Sequence, residues 1–442
     1  MKWPDSSKVY DSIRSFGPKT GWRLNRPGSP RIILVLLLIL ALLIALTGCV
    51  AVPSPRPYLS DDRNTAWAND ITYLQKTLPE VHKNLYFRIS EQEFHRQLED
   101  LKQKIPAYSD EQLEIALSVI LAGIGDTHTG SNIGAEYHYP LELYWFAEGI
   151  YIMGTSQEYQ GLLNARILTL NGKKIEEVAE TLRPILAGAN ESWFRTQIVY
   201  YLPMPNVLRY FGLIQADEIE LGVELENGQQ QTIKMTPVSY KEYVAAEQRP
   251  KNVPLYLSRP DEHYWYEYLE NDKTIYLNYS RCSQMRDKPF EIFNQEFWDF
   301  VQSHEADRLV LDIRKNRGGI STILNPFIKE VKNSQFNQPG RFYVIIGKDT
   351  YSSAILNAIS LKQETRAFFV GEATGGEPNH YGEVKQFKLP NSGITVRYST
   401  KYFHWLDEDV NTLEPDQVIA ETFAAYRQGN DPVLEWIFNR SI

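Results

Sequence analysis

The chain has 442 residues and a formal net charge of −9, and 43% of its residues are hydrophobic. This length suits two or three domains, and the composition excludes a disordered or fibrous protein. The first 48 residues carry seven Lys or Arg and two Asp, so the remainder has a net charge of −14. Because such a surface repels phosphate, no nucleic-acid partner is expected. The two cysteines, Cys49 and Cys282, are too few for a disulfide framework or a cysteine zinc site, and no cofactor or metal is expected.

The beginning of the chain is typical of an export signal. Residues 32–46 are all apolar and follow three arginines, which is the pattern of a secretory signal peptide. The run ends in Leu-Thr-Gly-Cys at Cys49, which resembles the bacterial lipobox, whose cysteine becomes lipidated. This resemblance predicts a signal peptide at 1–48, a tether at 49–59 and a lipid anchor on the extracytoplasmic face of the bacterial cell membrane. The alternative is an uncleaved membrane helix, since residues 32–52 carry no charge.

Residues 60–130 are predicted to form an N-terminal helical domain. From Trp67 onwards, apolar residues recur at three- and four-residue spacing, which indicates amphipathic helices. Ser90 and Glu93 have the spacing of a capping box at the start of the second helix. The third helix is expected to end at Gly123, where glycine interrupts the apolar pattern.

Residues 139–240 change to a pattern of short strands. Asn171-Gly172 follows an alternating run and predicts a tight turn, and residues 175–187 then read as a helix. Residues 218–235 predict a hairpin around a second Asn-Gly pair. This order resembles the PDZ-type peptide-binding module, and a small α+β insertion of another kind fits it equally well.

Residues 270–442 alternate strands with helices, which predicts an α/β core with a largely parallel sheet covered on its faces. The predicted strands are 274–279, 308–313, 343–346 and 367–370. The predicted helices are 290–304, 321–332 and 353–363. Active sites in such sheets lie at the carboxyl ends of the strands.

Three strand-to-helix junctions at that edge carry candidate chemistry. Gly318-Gly319 follows the second strand, and glycines there allow backbone N–H groups to hold an oxyanion, although an ordinary tight turn has the same pattern. Ser352-Ser353 opens a helix, where a serine is either an N-cap or a hydroxyl exposed to the positive helix end. The third junction places more glycines after the fourth strand, at residues 371–376.

Together these junctions resemble motifs of the tail-specific, or C-terminal-processing, serine protease family, which includes the core of tricorn protease. The matching segments are 311–319, 352–355, 370–375 and 123–129. The resemblance implies a ClpP/crotonase-like core, a PDZ-like insertion and hydrolysis of peptide bonds in a peptide or protein substrate. The interval between the second and third segments makes Ser352 the expected nucleophile, with the backbone of Gly318, Gly319 and Ser353 around the oxyanion.

The chain departs from the tail-specific pattern at the general base. Glu377 stands where that branch has its catalytic lysine, and Ile355 replaces a usual glutamate. The resemblance that remains is to the tricorn-like arrangement, which implies His128 as the base. Its acidic partner is expected at Asp409, with Glu408 as the neighbouring alternative.

Residues 377–383 are rich in polar groups and are expected either to border the substrate cleft, through Glu377 and His380, or to form a solvated loop. His380 is the rival base. The favoured function is a membrane-anchored serine peptidase. The alternatives are an inactive family member that binds peptides or lipid-like ligands, and a metal hydrolase using His128, His380 and nearby carboxylates, for which no HExxH spacing is present.

Overall fold

The structure, a computed structural model, describes residues 56–188, 190–245 and 252–440 together with Val52 and Ser54. The predicted signal peptide and the lipidation site at Cys49 therefore lie outside the described residues, as does part of the tether. Within the described ranges, no helix has the length and apolar character needed to cross a membrane.

The described chain begins with three helices. They are α1 Arg63–Val81, α2 Glu91–Lys104 and α3 Asp110–Ala122. The predicted capping box at Ser90 is half formed: its hydroxyl accepts from the backbone of Glu93, but the Glu93 carboxylate binds Arg96 instead of the Ser90 N–H. A complete capping box occurs one helix later, where the Ser109 hydroxyl accepts the N–H of Gln112 and the Gln112 side chain accepts the N–H of Ser109.

Short strands and helices follow, in the order expected from the sequence. The strands are β1 Gly130–Ser131, β2 Tyr137–His138, β3 Leu141–Phe146, β4 Gly149–Thr155, β5 Arg166–Leu170, β6 Lys173–Lys174, β7 Ile219–Glu224, β8 Gln230–Met235 and β9 Val238–Ser239. The helices are α4 Ile175–Thr181, α5 Glu191–Tyr201, α6 Pro205–Tyr210 and α7 Tyr240–Ala245. An antiparallel sheet in the order β3-β4-β5-β7-β8 forms this region, with β6 paired to β5.

The predicted hairpin is confirmed as β7 and β8, which pair from Ile219 opposite Met235. Helices α5 and α6 were not expected. Asn190 caps α5 by accepting the N–H of Trp193, and Phe194 and Ile198 bury one face of the helix against the sheet.

The remaining residues form the α/β core and a long hairpin. The strands are β10 Tyr264–Leu269, β11 Thr274–Tyr279, β12 Arg308–Asp312, β13 Phe342–Ile346, β14 Phe368–Gly371, β15 His380–Lys388, β16 Thr395–Phe403 and β17 Gln417–Val418. The helices are α8 Phe290–Ser303, α9 Asn325–Asn333, α10 Ser353–Glu364, α11 Phe423–Arg427 and α12 Pro432–Phe438. Short 3-10 helices occur at Arg56–Tyr58, Gln157–Leu162, Arg183–Ile185, Leu255–Leu257, Glu270–Asp272 and Ser321–Leu324.

The core sheet has the order β10-β11-β12-β13-β14-β17. All its pairs from β11 to β17 are parallel, and β10 adds one antiparallel edge strand, so the predicted largely parallel sheet is confirmed. Helices α8, α9 and α10 cover one face and α12 contributes to the other, which explains why β12 and β13 are buried throughout.

Strands β15 and β16 form a hairpin that packs away from the core sheet, against the N-terminal helices. Phe387, Leu389, Val396 and Tyr398 share one hydrophobic cluster with α1, α2 and α3, and β16 pairs with β1. The loop between α3 and β1 is therefore held in place by residues far along the chain. Residues 380–382, expected at a cleft border or in a solvated loop, lie in strand β15.

Candidate active site

Ser352 lies between β13 and α10 with backbone angles of φ 55° and ψ −126°. This conformation is strained for any residue except glycine, and such strain occurs mostly at functional sites. Ser352 occupies the N-cap position of α10, but its side chain makes no capping bond. Its Oγ atom lies instead 3.0 Å from Nε2 of His128.

The His128 ring is held in one orientation by its neighbours. The carboxylate of Asp126 accepts the backbone N–H of His128 at 2.9 Å, which fixes the loop. The Nδ1 atom lies 3.0 Å from the Tyr351 hydroxyl, and that hydroxyl donates to Thr127 at 2.7 Å. Because the tyrosine proton points to Thr127, its oxygen accepts from Nδ1–H of His128. The lone pair of Nε2 then faces Ser352, as a base requires.

Aromatic stacking adds a second restraint on His128. Trp193, Tyr351, His128 and His380 form a column with successive centroid distances of 4.4, 4.8 and 5.4 Å. Neighbouring rings are within 21° of parallel. Since rings contact both faces of His128, the imidazole moves little except by displacing the whole column.

A buried carboxylate, Asp126, lies beside the histidine. It accepts hydrogen bonds from Nε2 of His82 at 3.1 Å and from the hydroxyl of Thr129 at 2.5 Å. Because Nδ1 of His82 accepts the N–H of Asn84, Nε2 carries the proton. Burial alone would raise the pKa of Asp126, but these bonds and the nearby His128 outweigh it and lower the pKa. Asp126 is thus a carboxylate, 3.9 Å from Nδ1 of His128, and acts on the ring through its charge.

Burial is also the main influence on His128. Burial and the neighbouring His380 together lower the pKa of His128 to about 4, and the charge of Asp126 only partly opposes them. The imidazole is therefore neutral at neutral pH and available to accept a proton.

The glycine turn after β12 packs directly against Ser352. A Cβ atom on Gly318 would lie 2.8 Å from Cβ of Ser352, so this position has room for glycine alone. The Gly318 N–H donates to the side chain of Asn316. In the described ranges, the N–H groups of Gly319 and Ser353 donate no hydrogen bond, which leaves two donors beside Ser352.

The structure does not bring the two predicted acidic residues to His128. Asp409 and Glu408 are exposed and no contact joins either side chain to the ring. Asn379 binds the backbone carbonyl of Glu408, which holds this loop at the outer side of the site. The buried carboxylate beside the ring is Asp126.

The other predicted border residues, Glu377 and His380, do lie at the site. Burial raises the pKa of Glu377, and its carboxylate lies 3.5 Å from Arg88. His380 presents a ring face to His128, and its Nδ1 donates to the carbonyl of Glu377 at 2.7 Å. Of the two histidines, His128 is the one that hydrogen-bonds Ser352.

Sequence analysis predicted no role for Tyr351 or Trp193, and none for Asp126 beyond its place in the motif around His128. Two signals were present: Tyr351 directly precedes Ser352, and Asp126 stands two residues before His128. Trp193 had no local signal, since α5 was not expected. Within the part of the chain that the structure describes, no group of three or more His, Cys, Asp or Glu side chains is arranged to hold a metal ion.

Comparison with known proteins shows a similarity in structure alone. No protein-family model matches the sequence, and no curated protein matches it. Mature CPAF complexed with lactacystin superposes with a TM-score of 0.59 at 13% identity, over 85% of this chain and 97% of that one. A serine-to-alanine mutant of CPAF gives 0.61 at 13% identity, over 86% and 99%. This chain has the fold of CPAF.

Proposed function

We propose that this protein is a serine peptidase in which Ser352 is the nucleophile and His128 the general base. The observation that carries the proposal is the 3.0 Å separation between Oγ of Ser352 and Nε2 of His128, on a histidine whose other nitrogen is occupied. The similarity of fold to CPAF, whose structure has been solved with lactacystin, supports it. The segments that resemble tail-specific and tricorn-like proteases support a peptide substrate.

The reaction proceeds in two halves. His128 takes the Ser352 proton as Oγ attacks the peptide carbonyl carbon, and the negative oxygen is held by the N–H groups of Gly319 and Ser353. The C–N bond then breaks, and protonated His128 gives its proton to the leaving amine. A water molecule attacks the acyl-serine with His128 again as base, which releases the acid and restores Ser352.

The surrounding residues act on the charges that develop. Asp126 stabilises the transient imidazolium, and the Tyr351 hydroxyl keeps its Nδ1–H in place. The positive end of α10 favours the oxyanion. The backbone strain at Ser352 presents its hydroxyl to His128 rather than to the helix.

We also propose that the mature protein is lipid-anchored at Cys49 on the extracytoplasmic face of the membrane, and that the middle sheet with α4 is a PDZ-like module. The anchor is supported by the basic flank, the apolar run and the lipobox-like ending. Metabolic labelling with a palmitate analogue tests it: Cys49→Ser should abolish the label and Cys282→Ser should retain it. Equal labelling of both variants contradicts the anchor.

Hydrolysis of a quenched fluorescent peptide library tests the enzymatic proposal. Wild type should cleave, and Ser352→Ala and His128→Ala should each lose nearly all activity. Peptide binding without cleavage by wild type would instead support a ligand-binding relative. Hydrolysis that survives Ser352→Ala and disappears with a chelator would support the metal hydrolase.

A further inference from the structure

A cleft of about 290 Å³ opens beside His128, the proposed base, and Tyr351. It lies between the loop that carries His128, helix α5 and the β15–β16 hairpin. Ile185, Leu186 and Trp193 form an apolar wall, and Arg397 lies in the lining as well. This position next to the base makes the cleft the natural place for a part of the substrate.

Strand pairing places Arg397 close to His128. In the register of β1 with β16, Arg397 stands opposite Gly130, two residues beyond His128. A Cβ atom built on Gly130 would meet nothing within 4 Å, so the space beside this residue is open. The pKa of His128 is lowered mainly by burial, and the charge of Arg397 also contributes, which shows that the guanidinium is within electrostatic reach of the ring.

The guanidinium of Arg397 has no counter-ion of its own. In the described residues it makes no ion pair or hydrogen bond, and none of the cleft-lining residues is an aspartate or glutamate. Arg397 is exposed to solvent where it lines this partly apolar cleft, so an incoming carboxylate can reach its guanidinium and bind it with two parallel hydrogen bonds. In a chain of net charge −9, this cleft is a local exception that attracts anionic groups.

We propose that Arg397 binds a carboxylate of the substrate and makes this protein selective for peptides that carry one close to the scissile bond. This inference rests on the proposed function and names the substrate class for the same site. The carboxylate is the side chain of an Asp or Glu residue of the peptide.

Binding to the full-length Ser352→Ala variant tests the inference without requiring turnover. Fluorescence anisotropy is measured with four labelled peptides of one sequence, which carry Glu or Gln at the tested position and a free or an amidated C-terminus. Introducing Arg397→Gln into the Ser352→Ala variant should weaken binding of the preferred carboxylate peptide about tenfold. Binding of the neutral counterpart of that peptide should stay unchanged. Lys385→Gln removes the same charge from an exposed position on the same hairpin, outside the cleft lining, and should change neither.

The four peptides also distinguish an acidic side chain from the C-terminal carboxylate. Loss of binding on Glu-to-Gln exchange supports the inference, whereas loss on amidation alone, with the Glu and Gln peptides bound equally, would overturn it. Arg397→Glu should reverse the preference toward a peptide with Lys at that position. Equal weakening of charged and neutral peptides by Arg397→Gln, or an equal effect of Lys385→Gln, would overturn the inference.

Labelling with a fluorophosphonate separates this inference from the proposed function. If Ser352 is labelled but the wild type shows no preference for carboxylate peptides, the inference fails and the peptidase proposal stands. If Ser352 is not labelled but carboxylate peptides bind through Arg397, the peptidase proposal fails and the binding site stands.

Discussion

Nε2 of His128 lies 3.0 Å from Oγ of Ser352, although 224 positions separate the two residues in the chain. The serine lies at the carboxyl end of a strand of the parallel sheet, and the histidine lies in the loop that follows the N-terminal helices. The β1–β16 pairing and the cluster beneath the hairpin hold the histidine loop there. Activity should therefore depend on the packing of the helices as well as on the core.

The pH dependence of catalysis should reflect the lowered pKa of His128. A protonated imidazole cannot accept the serine proton, so kcat/KM should fall below the pKa, which is about 4. An unperturbed histidine would lose activity near pH 6.5. A profile of kcat/KM from pH 3 to 8 checks this, and an acid limb centred between pH 6 and 7 would contradict the burial of the base.

Tyr351→Phe should lower kcat about two- to tenfold without changing KM, which corresponds to the net value of one hydrogen bond. The variant retains the stacked ring and removes only the hydroxyl that holds Nδ1 of His128. Tyr268→Phe is the control, because its hydroxyl donates to the carbonyl of Glu305 away from the site. Steady-state kinetics that show equal losses for both variants would assign Tyr351 a merely structural role.

Asp126→Asn should lower kcat and move the acid limb to lower pH. The charge of Asp126 raises the pKa of His128 against the effect of burial, so its removal lowers that pKa further. The sequence-based prediction placed the acidic partner at Asp409, which makes Asp409→Asn the matched comparison. We expect Asp409→Asn to leave the pH profile unchanged. If Asp409→Asn shifted the acid limb and Asp126→Asn did not, Asp409 would be the acidic partner of His128.

Gly318→Ala should reduce kcat by about a hundredfold or more, comparable to the loss of an oxyanion donor. Its Cβ would lie 2.8 Å from Cβ of Ser352 and 2.9 Å from the nitrogen of Ser353, so the site has to shift. Gly393→Ala is the control, since it also has a positive φ but faces open space in a hairpin turn. Thermal melting should show a loss of stability in both variants, with activity lost only in the first.

Local patterns were sufficient for part of this architecture. The strand pattern predicted β11 to β14 and their parallel order, because buried parallel strands have continuous apolar sequences between helices. Ser352 and His128 were predicted from short segments around them, and the structure places them in contact.

Contacts that form only in the tertiary fold could not be predicted from those local sequence patterns. Asp409 has a suitable position in the sequence, but the loop that carries it is held at the outer side of the site through Asn379. Asp126 becomes the carboxylate of the site because burial and His82 fix it beside the ring. Trp193 joins the column only because α5 packs against the middle antiparallel sheet.

Mapping a fluorophosphonate adduct by mass spectrometry tests the central claim most directly. We predict a single adduct on Ser352, absent in Ser352→Ala and retained in Ser353→Ala, since the Ser353 hydroxyl is bound to the carbonyl of Gly319. His128→Ala should slow labelling strongly. An adduct on Ser353, or no adduct on well-folded wild-type protein, would contradict the proposal that Ser352 is an activated nucleophile.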